Sequence, residues 1–189
     1  MKRPPPSLRA RALAWLAQRE HSRAELRGKL LRAARAAQQC ESVDAVDQAS
    51  APGGDAVEAG ANAGHPAVEA QVEQVLDALQ AAGLLNEQRF IESRLRVRAA
   101  GHGERRIEHE LARHGLKLAE AQRQGLRDSE LQRAAELWRR RFGHAAVDER
   151  ERARQARFLA GRGFSGDVIR RVLAHGGAAS QDEVAPDPD

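Results

Sequence analysis

Three stretches of this chain lie over one another residue for residue, and that repetition constrains the fold more than any other feature. They are WLAQREHSRAELRGKLLR (15–32), RVRAAGHGERRIEHELAR (96–113) and FLAGRGFSGDVIRRVLAH (158–175). Leu16, Val97 and Leu159 correspond, as do the small residues Ser22, Gly103 and Ser165. Leu26, Ile107 and Ile169 correspond next, followed four residues later by Leu30, Leu111 and Leu173. A four-residue step keeps two side chains on one face of an α-helix. Each stretch therefore reads as a helix, a short break, and a second helix that starts at a small residue. One such pair cannot bury its apolar stripe alone, whereas stacked units share a continuous core.

The remaining periodicity is also helical. Val68, Val72, Val75 and Leu79 recur at i, i+4, i+7 and i+11, as do Leu131, Ala135, Trp138 and Phe142. Ala, Leu, Arg, Glu and Gln dominate, all good helix formers, while the chain has four Phe, two Trp and no Tyr. Ser22-x-x-Glu25 and Ser129-x-x-Gln132 read as capping boxes, and Asn86, Asp148 and Ser165 as N-caps. Gly83 and Gly115 read as left-handed helix stops, with Leu84 set to meet Leu79 and Leu116 to meet Leu111. Nine helices are predicted, at about 8–20, 22–35, 67–82, 86–100, 103–114, 117–126, 129–142, 149–162 and 165–175. The expected fold is all-α, three tandem three-helix repeats forming an elongated, curved body with a disordered insertion and tail. Residues 7–126 hold the first and second repeats and 127–175 the third.

The insertion and the tail stand out by charge. Residues 36–70 contain Glu41, Asp44, Asp47, Asp55, Glu58 and Glu69 but no Lys or Arg. Within them, 37–66 reads as a disordered acidic linker, because small polar residues with Pro52, Gly53, Gly54 and Gly60 bury too little apolar area to repay ordering. The tail 176–189 carries four acids and no base and reads the same way. All 31 Lys and Arg therefore lie in the rest of the chain, which points to a polyanionic or acidic partner. MKRPPPSLRA has no apolar core, so no secretory leader is expected, and no run of about 18 apolar residues exists to span a membrane. A cytoplasmic location is expected.

His109-Glu110-Leu111-Ala112-Arg113-His114 invites comparison with a zinc-protease helix. That helix spaces its histidines by four, about 40° apart, so both face one ion. Here the spacing is five, about 140°, on nearly opposite faces. No metal or other cofactor is expected, and a zinc hydrolase is the weakest reading. Cys40, the single cysteine, lies in the linker without a histidine partner, and no phosphate loop or nucleophile elbow occurs. Gly101 and Gly103 read as a place where helix passes tightly against helix.

The blocks REHSRAELRGKL (19–30), GLLNEQRFIESRLRVRAAGHGERRIEHELARHGL (83–116) and RFLAGRGFSGDVIRRVL (157–173) resemble the RecX family of bacterial recombination regulators. The resemblance implies three tandem three-helix repeats and no enzymatic activity. It implies binding to the RecA recombinase polymerised on single-stranded DNA, and suppression of that filament's growth, ATP hydrolysis, strand exchange and coprotease activity in the SOS response. A monomer is expected, with a weak direct contact to DNA and none to membranes. The candidate contacts are Arg19, Arg23, Arg27 and Lys29 in the first repeat; Arg89, Arg94, Arg98, Arg105, Arg106 and Arg113 in the second; and Arg157, Arg162, Arg170 and Arg171 in the third. The run Arg139-Arg140-Arg141 is also basic. Guanidinium forks suit phosphates and carboxylates. A general nucleic-acid-binding helical module is the alternative, although the six aromatics mostly fall on apolar stripes.

Overall fold

The computed structural model describes residues 6–48 and 64–178. Residues 49–63 of the expected linker and 179–189 of the expected tail lie outside them. Among the described residues there are nine α-helices and no strand. They are α1 (Leu8–Leu16), α2 (Arg23–Gln48), α3 (Gly64–Ala81), α4 (Glu87–Arg98), α5 (Glu104–Ala112), α6 (Glu120–Asp128), α7 (Glu130–Arg141), α8 (Glu149–Gly161) and α9 (Gly166–Ala178). The chain forms two compact units that meet in sequence between Phe90 and Ile91 of α4.

The first unit holds the first repeat, α1 to α3. Its core is Ala12, Leu26, Leu30, Leu31, Val72, Leu76, Leu79 and Leu85, with Leu8, Trp15, Leu16, Val68 and Val75 against it. The aligned positions Leu26 and Leu30 are fully buried. Helix α2 runs on to Gln48, past the expected end at 35 and into the segment read as a linker. Its continuation is rich in Ala and Gln and meets no helix breaker before Pro52. Helix α3 likewise begins at Gly64, with Pro66 in its first turn, where proline loses no helical hydrogen bond.

The second unit holds α4 from Ile91 onward and α5 to α9. Ile107 and Leu111 of α5 are buried together with Leu116, Leu118 and Leu126. In the third repeat Ala134, Trp138, Leu159, Phe164, Val168, Ile169 and Val172 form the core, with Leu173 only partly buried against it. Trp138 donates its indole N–H to Gln155 Oε1 at 2.8 Å inside this core. Val97, aligned in sequence with Leu16 and Leu159, departs from the repeat and is 67% exposed. Helix α4 ends at Arg98 and continues as a tighter 3-10 turn, Ala99–Gly101, so the register before the break is not that of α8.

The caps follow the sequence at most ends. Ser22 Oγ accepts from the Glu25 amide at 3.1 Å, Asn86 Oδ1 from Arg89 at 3.0 Å, and Asp148 Oδ1 from Glu151 at 2.6 Å. Gly83 and Gly115 have φ of 67° and 74°. The amides of Leu84 and Leu116 close six-to-one bonds to Leu79 and Leu111 at 2.9 and 3.0 Å. Leu84 itself points outward at 43% exposure, and its neighbour Leu85 fills the expected apolar place. Gly163, with φ of 83°, ends α8 by the same motif, which the sequence reading did not single out.

Ser129 is not a cap. Its backbone is helical, at φ −96° and ψ −3°, and its hydroxyl donates back to Gly125 O at 2.8 Å. An N-cap needs an extended backbone to aim its oxygen at the following amides. The adjacent Glu130 takes a different job. Its buried carboxylate accepts from Ser165 Oγ at 2.9 Å and Ser165 N at 3.3 Å, placing negative charge at the positive end of α9.

Candidate partner-binding surface

The structure divides the basic residues into two groups. In the first unit Arg19, Arg23, Arg27, Lys29 and Arg89 are held by carboxylates of the same unit, whereas Arg9, Arg32 and Arg35 are exposed and make no ion pair among the described residues. Arg23 reaches Glu73 at 2.5 Å and Asp77 at 2.8 Å, and also donates to Gln80. Arg27 reaches Glu73 at 2.5 Å and Glu69 at 3.7 Å. Together they clasp α2 to α3. Hydrogen bonds from Arg27 and Arg23 hold the Glu73 carboxyl below its ordinary range. Arg19 and Lys29 pair with Glu25, and the Lys29 ammonium lies 5.4 Å from the Trp15 ring centroid. Partial burial works against the charge of Glu25, but Arg19 and His21 outweigh it and lower its pKa. Arg89 bonds Glu20 at 3.0 Å and donates to the Gly83 and Leu84 carbonyls, sealing the end of α3.

In the second unit Arg98 pairs with Glu110 at 3.0 Å, with Arg94 at 3.6 Å from the same carboxylate, and Arg170 pairs with Asp167. Arg133, which the sequence reading passed over, is a structural tie. Its guanidinium donates to the carbonyls of Ala99 at 2.5 Å, His102 at 2.6 Å and Leu126 at 2.8 Å. Burial lowers its pKa from the ordinary arginine value. The sequence signal was faint: one more arginine in an arginine-rich helix. Where the second repeat meets the third, Gly103 N donates to Arg162 O at 3.0 Å. The close approach expected at these glycines occurs at Gly103, between the break before α5 and the end of α8, and not at Gly101, where an added Cβ would meet only the Arg162 guanidinium at 3.8 Å.

The other group is bare. Arg105, Arg106 and Arg113 near α5, Arg139 and Arg141 on α7, Arg157 on α8 and Arg171 on α9 are exposed and make no ion pair among the described residues. One of this set, Arg141, shares a cleft with two further arginines. Arg140, Arg141 and Arg162 line a cleft of about 580 Å³ floored by Ala100, Leu137 and Phe158. Beside it Arg154 lies 5.5 Å from the Phe142 ring and Arg162 lies 5.3 Å from the Phe158 ring. The two rings meet edge to face at 5.4 Å. These phenyl groups, expected on apolar stripes, are partly exposed and covered by guanidinium planes. Arg140 and Arg141 were not among the candidate contacts, although the three-arginine run at the end of α7 marked them.

The histidines do not gather. His109 is exposed on α5, and His114 lies beyond the helix end at Ala112. His102 Nδ1 donates to Arg98 O, 3.4 Å away, and its pKa is lowered, chiefly by burial. No helix among the described residues is long and apolar enough to cross a membrane.

Comparison with known proteins agrees with the helical repeats. Residues 128–173 match the family model described as RecX, third three-helix domain. The Regulatory protein RecX of Leptothrix cholodnii is 45% identical over 174 residues, 90% of each chain. That of Ralstonia nicotianae is 38% identical over 189 residues, 98% of each chain. Among solved structures, RecX from Lactobacillus salivarius superposes with a TM-score of 0.53 at 16% identity, covering 89% of this chain and 93% of that one.

Proposed function

The chain belongs to the RecX family of regulatory proteins, and from that premise we propose that it binds the RecA filament on single-stranded DNA and inhibits the recombinase, ATPase and coprotease activities of RecA. In this reading it modulates DNA repair and the SOS response in the cytoplasm, as a monomer and without catalysis. The observation that carries the reading is the set of exposed arginines on or beside α5, α7, α8 and α9 that make no ion pair among the described residues. Exposed like charges repel, and the surface that bears them gains most from an anionic partner. A filament presents the same protomer surface repeatedly, so repeats on one chain can add weak contacts into avidity. A ligand that prefers one filament state shifts the population towards it. The test is ATP hydrolysis by RecA on single-stranded DNA with this protein added. Inhibition at stoichiometric levels is expected, and unchanged hydrolysis overturns the proposal.

A general nucleic-acid-binding module is favoured by one observation, the row Arg154, Phe142, Phe158, Arg162 beside the basic cleft. Aromatic and guanidinium faces are surfaces on which unpaired bases stack. Tight, salt-dependent binding of an oligonucleotide without RecA discriminates this reading.

A further inference from the structure

A second groove, between α7 and α9, is apolar at its base and cationic at its rim. Leu131, Trp138 and Val172 line it, with Arg139, Arg171 and His175, around a volume of about 370 Å³. No carboxylate is among its lining residues. Helix α7 carries two acids, and both are engaged elsewhere: Glu130 by Ser165 at 2.9 Å and Glu136 by the Gln132 amide at 3.1 Å. Helix α9 carries one, Asp167, which pairs with Arg170. Arg139 and Arg171 are exposed and make no ion pair among the described residues.

The first repeat shows what this seam lacks. There α2, which aligns with α9 in the sequence repeat, lies against α3. Val72 and Leu76 of α3 are buried in the core, while Glu69, Glu73 and Asp77 of α3 answer Arg23 and Arg27 of α2. An acidic helix with aliphatic residues one turn apart thus satisfies an arginine-bearing helix in this fold. In the third repeat the neighbour of α9 is α7, and α7 brings Arg139 to the groove instead of a carboxylate. We infer that the α7–α9 groove docks an acidic helical segment of a partner protein, with an aliphatic side chain on Leu131 and Val172 and carboxylates at Arg139 and Arg171. Amphipathic helices enter such grooves by apolar anchors three or four residues apart. Guanidinium groups take carboxylates in paired hydrogen bonds. A nucleic acid fits less well. Unpaired bases stack on open ring faces, whereas Trp138 is 6% exposed and its indole N–H is held by Gln155. Base and rim select together: the first requires an aliphatic side chain, the second requires acids beside it. The inference goes beyond the RecA reading and does not rest on it, because its test contains no RecA.

The experiment titrates the full chain into a fluorescein-labelled peptide, Ser-Asp-Glu-Glu-Leu-Ala-Ala-Leu-Glu-Asp-Glu-Ala, and follows anisotropy at physiological ionic strength. Saturable binding with a submillimolar midpoint is expected. Exchanging both peptide leucines for serine, at equal charge, should weaken binding to the unaltered protein at least tenfold. Arg139→Glu with Arg171→Glu should weaken it as much. Arg9→Glu with Arg35→Glu, an equal change of charge in the first unit, should leave the midpoint within twofold. No saturation, equal binding of the serine peptide, equal loss from the two pairs of reversals, or displacement of the peptide by an oligothymidylate at equal concentration each overturns the inference.

Discussion

Gly103 and Gly163 approach so closely that a Cβ on the first would lie 2.2 Å from the carbonyl oxygen of the second. A Cβ on Gly163 would meet Arg106 Cβ at 2.6 Å. The contact is backbone against backbone, so no flexible side chain can yield. Gly103→Ala should therefore lower stability by roughly 1–3 kcal/mol, the usual range for overpacking and strain. Gly125→Ala is the control, since a Cβ there meets nothing within 4 Å. Urea unfolding of the two variants makes the comparison. Equal midpoints would show that the second and third repeats can separate at no cost.

Arg133 donates to three carbonyls at the ends of two helical segments. Arg133→Met keeps the aliphatic stem and removes the donors. It should cost about 2 kcal/mol or more, because acceptors shielded from water are left unmade. Thermal unfolding followed by circular dichroism measures the loss. Arg113→Met, at an exposed and unpaired position, should stay within about 0.5 kcal/mol of the parent.

Three groups in the first unit, His21, Glu25 and Glu73, give stability an acid limb. Burial, opposed by Glu25, lowers the pKa of His21 from 6.5, so the folded state prefers the neutral imidazole. The unfolded chain then binds the extra proton, and stability falls as pH drops below about 6.5 towards the lowered folded value. Glu73, lowered from 4.5 by its arginines, adds stability that is present above that value and lost as pH falls through the folded one. Urea midpoints of the parent and of His21→Gln should converge as pH falls from 8 to 5, while Glu73→Gln should flatten only the region near pH 4. A parent profile flat from pH 8 to 5 contradicts the His21 assignment.

The bare and the satisfied arginines should separate by phenotype. Arg105→Glu with Arg106→Glu, and Arg140→Glu with Arg141→Glu, should weaken inhibition of RecA ATP hydrolysis at least tenfold and leave the melting temperature nearly unchanged. Arg23→Ala with Arg27→Ala should instead lower the melting temperature by loosening α2 from α3, and inhibit as before where folded. A reversed pattern would assign the contact to the first unit.

Most of the fold was legible because helices announce themselves locally. The step from Ile107 to Leu111 and the glycine after His114 need only the sequence within one turn. Leu26, Leu30, Ile107 and Leu111 were found as core because the same spacing recurs three times. What escaped depends on partners distant in sequence. Glu130 looked like the second residue of a capping box, and only the arrival of Ser165 shows what its carboxylate does. Val97 sat in register with Leu159, but the winding of the next three residues turned it outward. The candidate surface was half legible. Composition counts arginines but cannot see that Glu73 has already taken Arg23 and Arg27, or that Arg140, Arg141 and Arg162 share one cleft.

The chain has two tryptophans, Trp15 packed against the core of the first unit and Trp138 within that of the third repeat. Each compact unit thus carries its own chromophore, and the Trp138 indole is held by Gln155 in a fixed polar setting. Trp15→Phe and Trp138→Phe chains become a matched pair of optical reporters. With them, a denaturant series or the arrival of a ligand can be read separately in each half, without attaching a label.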